Sequence, residues 1–119
     1  MKALVVDDSE VMRKVLTGAL SRADITDVEQ ASDGKEAVEK AAAGDFNLIL
    51  MDWYMPNMLG IDAVKAIRGS GNKVPIIMVT TEAEKSRVIE ALKAGANNYI
   101  IKPFEPAAIV AKIKEVIES

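Results

Sequence analysis

Short apolar runs alternate along the chain with longer segments whose apolar residues recur at helical spacing. Four of the runs have no polar alternation, which is typical of strands buried on both faces. They lie at residues 3–6, 48–51, 76–79 and 99–101. A weaker run at residues 28–31 alternates apolar and polar side chains and predicts an edge strand. The pattern therefore predicts five consecutive β–α units.

Local signals predict where the helices begin and end. Strands that alternate with helices favour a parallel sheet with helices on both faces, in a single α/β domain that spans residues 1–119. The predicted helix starts are Ser9, Asp33 and either Thr81 or Glu82, and Pro106 is predicted to open the last helix. The predicted helix ends are Gly44, Gly69, Gly71 and Gly95.

Composition narrows the possible functions. The 119 residues include no cysteine and no histidine, which excludes disulfides, thiolate metal sites and serine–histidine catalysis built from this chain alone. The net charge of −3 argues against a dedicated nucleic-acid binder. No apolar stretch approaches the roughly 20 residues that span a bilayer. We therefore expect a cytoplasmic protein with no nucleic-acid or membrane partner.

Polar residues follow the apolar runs at the points where the strands are predicted to end. Asp7 and Asp8 follow the first strand, Asp52 the third, Thr80 the fourth and Lys102 the fifth. Ligands of open α/β sheets bind at this carboxyl edge. If the first and third strands are neighbours, three carboxylates meet there and favour a hard cation such as Mg²⁺. With the lysine and the hydroxyl beside them, they predict a phosphoryl site with an aspartate as nucleophile.

Each of these residues also has an ordinary structural interpretation. Asp7 and Asp8 could end a strand or cap the next helix, and Asp52 could begin a turn. Thr80 is a common strand-end residue, and Lys102 alone would be expected in solvent. Their joint position after four strands favours the functional interpretation.

Four motifs resemble those of the response-regulator receiver domain, in the same order and spacing. They are VVDD at residues 5–8, MDWYMP at 51–56, VT at 79–80 and IKPF at 101–104. The resemblance covers essentially the whole chain. It implies a doubly wound, flavodoxin-like (βα)5 fold with strand order 2-1-3-4-5. Residues 52–58 and the chain length resemble the stand-alone chemotaxis regulators of the family.

The resemblance also implies a role for each site residue. Asp52 would be the phosphoacceptor, and Lys102, joined to Pro103 by a cis bond, would pair with a phosphoryl oxygen. Thr80 would donate its hydroxyl to the phosphoryl group, and Tyr99 would be the aromatic residue that turns inward on activation. The ligands of Mg²⁺, or alternatively of Mn²⁺, would be Asp7, Asp8, Asp52 and the backbone carbonyl of Tyr54.

The implied partners are proteins. The phosphodonor would be a CheA-like sensor histidine kinase, and the target would be a component such as the flagellar switch. The face formed by the fourth helix, fifth strand and fifth helix would change its affinity for that target. The protein is expected to be a monomer and to assist its own phosphorylation and dephosphorylation without acting as a turnover enzyme.

Several residues depart from the common family pattern. Tyr54 and Glu82 stand two residues after Asp52 and Thr80, where family side chains modulate dephosphorylation. A bulky Tyr54 is expected to shield the acyl phosphate and slow its hydrolysis, although it could equally only pack over the loop. Thr81 replaces a smaller residue and could narrow access to the site. Leu59 replaces an aspartate that is not a ligand.

Three alternatives stay open at the level of sequence. The chain could be the receiver domain of a longer regulator. It could be a small Mg²⁺-dependent phosphatase that forms an aspartyl phosphate, although such enzymes need a second aspartate where this chain has Tyr54. It could also be a scaffold that never takes phosphate, although the intact set of site residues argues against this.

Overall fold

The computed structural model describes residues 1–118 and shows five strands that alternate with five helices within that range. The strands are β1 (Lys2–Val6), β2 (Asp27–Ala31), β3 (Leu48–Met51), β4 (Ile76–Thr80) and β5 (Asn98–Ile101). The helices are α1 (Glu10–Arg22), α2 (Gly34–Ala43), α3 (Gly60–Gly69), α4 (Lys85–Ala94) and α5 (Pro106–Ile117). Ser119, which the predicted domain includes, lies outside the described residues.

The strands form one parallel sheet in the order β2-β1-β3-β4-β5. This confirms the predicted doubly wound α/β fold, its strand order and the edge position of β2. β1, β3 and β4 lie inside the sheet, and all of β3 and β4 is buried. Burial on both faces explains why these strands read as continuous apolar runs.

Two apolar clusters cover the two faces of the sheet. One cluster joins side chains such as Leu4 and Ile49 to α2 and α3, and the other joins Val5 and Leu50 to α1 and α5. Alternate residues of one strand therefore serve opposite layers. Within residues 1–118, no helix is long and apolar enough to cross a membrane.

Most of the predicted helix starts are confirmed. The Ser9 hydroxyl accepts a hydrogen bond from the Met12 backbone N–H, and the Asp33 carboxylate accepts one from Glu36. Pro106 occupies the first turn of α5. The prediction that α4 starts at Thr81 or Glu82 is wrong, because α4 begins at Lys85.

The late start of α4 has a physical cause at the end of β4. The Glu82 backbone N–H donates to the Thr80 hydroxyl, and Glu82 is held through other contacts described below. Such a local bond offers the backbone an alternative to helix. Residues 81–84 therefore form a connecting loop at the carboxyl edge of the sheet.

Candidate functional site

The register of the sheet brings the predicted site residues together. Val6 of β1 pairs with Met51 of β3, so Asp7 and Asp52 follow neighbouring strands side by side. One carboxylate oxygen from each of Asp7, Asp8 and Asp52 lies within 4.8 Å of the others. Asp7 and Asp52 are buried, whereas Asp8 is exposed. Three clustered carboxylates of this kind could hold a metal ion.

Lys102 reaches across the same edge from the end of β5. Its Nζ lies 2.7 Å from Asp7 Oδ2 and 3.2 Å from Asp52 Oδ2. Its backbone N–H donates to the Thr80 carbonyl, which extends the pairing of β4 and β5. The peptide bond to Pro103 is cis, as the resemblance implies. One ammonium group therefore contacts two buried carboxylates.

The electrostatics of the cluster follow from burial and from these contacts. Burial raises the pKa of the Asp52 carboxyl above its usual value, and the charge of Asp7 adds to the effect. Lys102 and the Thr80 hydroxyl oppose that rise. Burial alone would lower the pKa of Lys102, but its contacts with Asp7 and Asp52 outweigh burial, and its pKa is raised. Lys102 therefore remains a cation among these acids.

The segment that follows Asp52 turns back sharply onto the start of α3. Asp52 Oδ1 accepts a hydrogen bond from the Trp53 N–H, and the Trp53 carbonyl accepts one from Gly60. A Cβ atom at Gly60 would lie 1.8 Å from the Asp52 carbonyl oxygen. Only glycine fits this approach. Trp53 and Met55 are buried in the core, so the apolar residues of this segment mainly serve packing.

A second group of contacts forms around Glu82 at the rim of the cluster. The Tyr54 hydroxyl donates to Glu82 Oε1 at 2.6 Å, and the Tyr99 hydroxyl donates to the Glu82 carbonyl at 2.7 Å. Tyr54 is half exposed. Burial raises the pKa of Tyr99 to about 12. The loop after β3 and the loop after β4 are thus joined over the carboxylates.

Comparison with known families fits this geometry. The response regulator receiver domain family matches residues 3–114. The chain belongs to this family. The receiver is 48% identical to chemotaxis protein CheY1 of Helicobacter pylori, and the alignment covers 98% of this chain and 97% of that protein. It is 45% identical to the chemotaxis protein CheY homolog of Campylobacter jejuni, over 98% of this chain and 92% of the relative.

Solved structures resemble the receiver along almost its whole length. Chemotaxis protein CheY4 of Vibrio cholerae matches with a TM-score of 0.86 and 37% identity, and the match covers 97% of each chain. The response regulator domain of Thermotoga maritima CheB matches with a TM-score of 0.90 and 37% identity, over 100% of this chain and 97% of that one. These matches agree with the fold that the strand order defines.

The receiver brings all the predicted site residues to one edge, in two groups. Asp7, Asp8, Asp52 and Lys102 form the charged cluster, with Thr80 buried beside them. Tyr54, Glu82 and Tyr99 form the rim.

Sequence reasoning missed contacts that hold these loops in place. The Arg13 guanidinium donates to the Asp7 carbonyl at 2.7 Å and to the Gln30 side chain. The Asn57 side-chain amide donates to the Asp33 carboxylate. The sequence predicts Asp33 only as the start of α2. The backbone of Asn57 has a positive φ. Asparagine after proline is a turn signal, and it could have indicated this backbone conformation but not the hydrogen-bond partner.

Proposed function

We propose that the receiver accepts a phosphoryl group on Asp52 from a phosphohistidine of a CheA-like sensor kinase. A carboxylate oxygen of Asp52 attacks phosphorus, and the bond from phosphorus to the histidine nitrogen breaks. The contact of Lys102 with both Asp52 and Asp7 carries this proposal, because it places a cation beside the attacking oxygen. The protein then mainly positions the acceptor and neutralises charge.

The donor set fits Mg²⁺, with Mn²⁺ as an alternative ion. Carboxylates from Asp7, Asp8 and Asp52 would hold it, together with the backbone carbonyl of Tyr54. Exposure of Asp8 leaves room for the water ligands that Mg²⁺ retains. The bound ion would neutralise charge on the phosphoryl oxygens.

Phosphorylation would change the contacts at the end of β4. Added phosphoryl oxygens would draw the Thr80 hydroxyl away from the Glu82 N–H that it now accepts. Because the Glu82 carbonyl holds the Tyr99 hydroxyl, a shift of this loop would reach β5. The response is a shift in population between two states, set by their different contacts.

The output would be binding of a protein target in chemotaxis, such as a flagellar switch component. The closely similar relatives are chemotaxis proteins, which supports this assignment. Leu92 of α4 and Ile101 of β5 offer exposed apolar surface to such a target, whereas the exposed Ile89 lies beside Lys65 of α3. Lys85, Arg87 and Lys93 add basic charge to α4, which favours an acidic partner. We propose a cytoplasmic monomer that is not a turnover enzyme.

Tyr54 and Glu82 are proposed to modulate dephosphorylation. Their hydrogen bond spans the two loops that flank the acceptor. A water molecule that attacks the phosphoryl group would approach past this pair. The pair is therefore expected to lengthen the life of the acyl phosphate.

Intact mass spectrometry tests the proposal. Wild-type protein is incubated with phosphoramidate in Mg²⁺ or in excess EDTA, beside the Asp52→Asn variant. We expect one added phosphoryl group only in the wild type with Mg²⁺. Equal phosphorylation of Asp52→Asn, or none in the folded wild type, would contradict the proposal. Asp45→Asn, an exposed change far from the cluster, is the matched control.

A further inference from the structure

The loop between β3 and α3 is fastened at its tip to the start of α2. Asn57 adopts a left-handed backbone conformation with φ of 68°. Its side-chain amide donates to Asp33 Oδ2 at 2.7 Å, across 24 positions of sequence. Asparagine tolerates this conformation better than most residues with a side chain. The conformation and the hydrogen bond together specify asparagine at this position.

Asp33 uses its two oxygens for two different purposes. Oδ1 accepts the Glu36 backbone N–H and caps α2, while Oδ2 accepts Asn57. Both bonds lower the pKa of the Asp33 carboxyl, the backbone bond more strongly, so it is ionised at neutral pH. The Asn57 bond is therefore charge-assisted, and such bonds are stronger than neutral ones.

The backbone beside Asn57 also rests closely on α2. A Cβ atom at Gly34, the first residue of α2, would lie 2.5 Å from the Met58 carbonyl oxygen. The glycine thus permits the loop to approach the helix. The hydrogen bond and this close contact fix the tip of the loop on an element outside the charged cluster.

The loop is held at its other end by the Gly60 N–H, which donates to the Trp53 carbonyl at 2.7 Å. Tyr54 lies between this bond and the tip. Its backbone carbonyl is the ligand that the proposed cation site takes from the loop. A carbonyl ligand cannot rotate independently of its chain, so its position depends on how the loop is fastened at both ends.

We propose that Asn57 and Asp33 are positioning residues for the cation site. Their hydrogen bond holds the loop so that the Tyr54 carbonyl is preorganised for Mg²⁺. The inference rests on the proposed function, which supplies the cation. Outer partners that orient metal ligands contribute to metal affinity in general. Loss of the tether is expected to weaken Mg²⁺ binding about three- to tenfold.

Two variants remove the tether in different ways. Asn57→Gly keeps access to positive φ and deletes the amide. Asp33→Ser keeps a residue that caps helices well but lacks the second carboxylate oxygen. The matched control is Asn47→Gly. Asn47 accepts the Lys2 backbone N–H at 2.8 Å and joins distant segments at the opposite edge of the sheet.

Titration with MgCl2, followed by Trp53 fluorescence, measures the Kd for Mg²⁺ in each folded variant. We expect a similar loss of affinity in Asn57→Gly and Asp33→Ser, no further loss in the double variant, and no change in Asn47→Gly. Additive losses of Mg²⁺ affinity in the double variant, or unchanged affinity in the single variants, would overturn the proposal that this hydrogen bond positions the cation site. A wild type that does not bind Mg²⁺ would overturn the proposed function as well, which separates the two failures.

Hydrogen exchange of the metal-free protein provides a readout that does not depend on the cation. The Gly60 amide is expected to exchange faster in Asn57→Gly than in wild type, because the loop loses the hydrogen bond that fastens its tip. Exchange at Gly60 is expected to stay unchanged in Asn47→Gly. Unaltered exchange in Asn57→Gly would show that the loop is held without the tether.

Discussion

Neutralising Asp52 is expected to stabilise the metal-free fold. The Asp52→Asn variant keeps the shape of the side chain and removes its charge. Burial raises the pKa of Asp52, so the ionised form is less favourable in the folded state than in the unfolded state. The free-energy cost of ionising Asp52 in the folded state is absent below the pKa that Asp52 has in the unfolded state. It is complete above the raised pKa that Asp52 has in the folded state. The gain in stability of Asp52→Asn over the wild type is therefore greatest at neutral pH.

The magnitude follows from three opposing effects. At an effective dielectric of about 20, a Lys102 charge at 3.2 Å attracts the carboxylate by about 5 kcal/mol. Repulsion from Asp7, whose carboxylate oxygen lies within 4.8 Å, is at least about 3.5 kcal/mol at the same dielectric. Burial of the carboxylate costs several kcal/mol. The ionised Asp52 carboxylate therefore destabilises the folded wild type by about 1–2 kcal/mol. Removing its charge should raise Tm by about 4–8 °C for a chain of this length.

Urea and thermal unfolding in EDTA test this prediction at pH 7. Asp52→Asn should unfold at higher urea concentration than the wild type, while exposed Asp45→Asn should differ by less than about 0.5 kcal/mol. Mg²⁺ at 100 times its Kd should add about 2.7 kcal/mol to the wild type and much less to the variant. A variant that is less stable than wild type in EDTA would refute the reasoning, because Lys102 attraction would then outweigh burial.

Three other predictions concern the loops. Tyr54→Asn should shorten the acyl-phosphate lifetime severalfold. Tyr54→Phe should have the smaller effect if the ring does most of the shielding. The rate at which the phosphoryl mass is lost measures both variants, and unchanged decay in Tyr54→Asn would rule out shielding. Gly60→Ala should lower the free energy of unfolding by about 3 kcal/mol, because its Cβ would meet the Asp52 carbonyl. Gly69 has open space around it, so Gly69→Ala should be neutral or stabilising in urea unfolding. Similar free energies of unfolding for the two variants would contradict the steric argument. Asp33→Ala removes both the helix cap and the bond from Asn57, and should lower the free energy of unfolding by about 1–2 kcal/mol at pH 7. Because the pKa of Asp33 is lowered, that difference should shrink as the pH falls below about 4, and a constant difference would exclude an ionised cap.

The fold could be predicted well because its signals are local and agree with one another. β3 and β4 read as uninterrupted apolar runs because both of their faces are buried. Ser9 and Asp33 cap their helices through bonds to residues three positions ahead. The prediction of where α4 starts was wrong because Glu82 is held by Tyr54 and Tyr99. These long-range contacts leave no local signal in the sequence.

The charged cluster could be predicted for a similar reason. Its members follow strands directly, and a parallel sheet brings the ends of its strands to one edge. The contacts that position the loops were not predictable. The Asn57–Asp33 bond joins two loops that no periodic pattern relates, and Arg13 reaches a backbone carbonyl that has no signature in sequence. Such partners depend on the distances between folded elements.

The central claim is that Asp52 accepts the phosphoryl group in a Mg²⁺-dependent reaction. Reduction of the phosphorylated protein with borohydride converts an acyl phosphate at aspartate into homoserine, which tandem mass spectrometry can locate. The account predicts homoserine at position 52 only, after treatment with phosphoramidate and Mg²⁺, and none in EDTA. Homoserine at Asp7 or Asp8, or its formation at position 52 in EDTA to the same extent, would contradict the account.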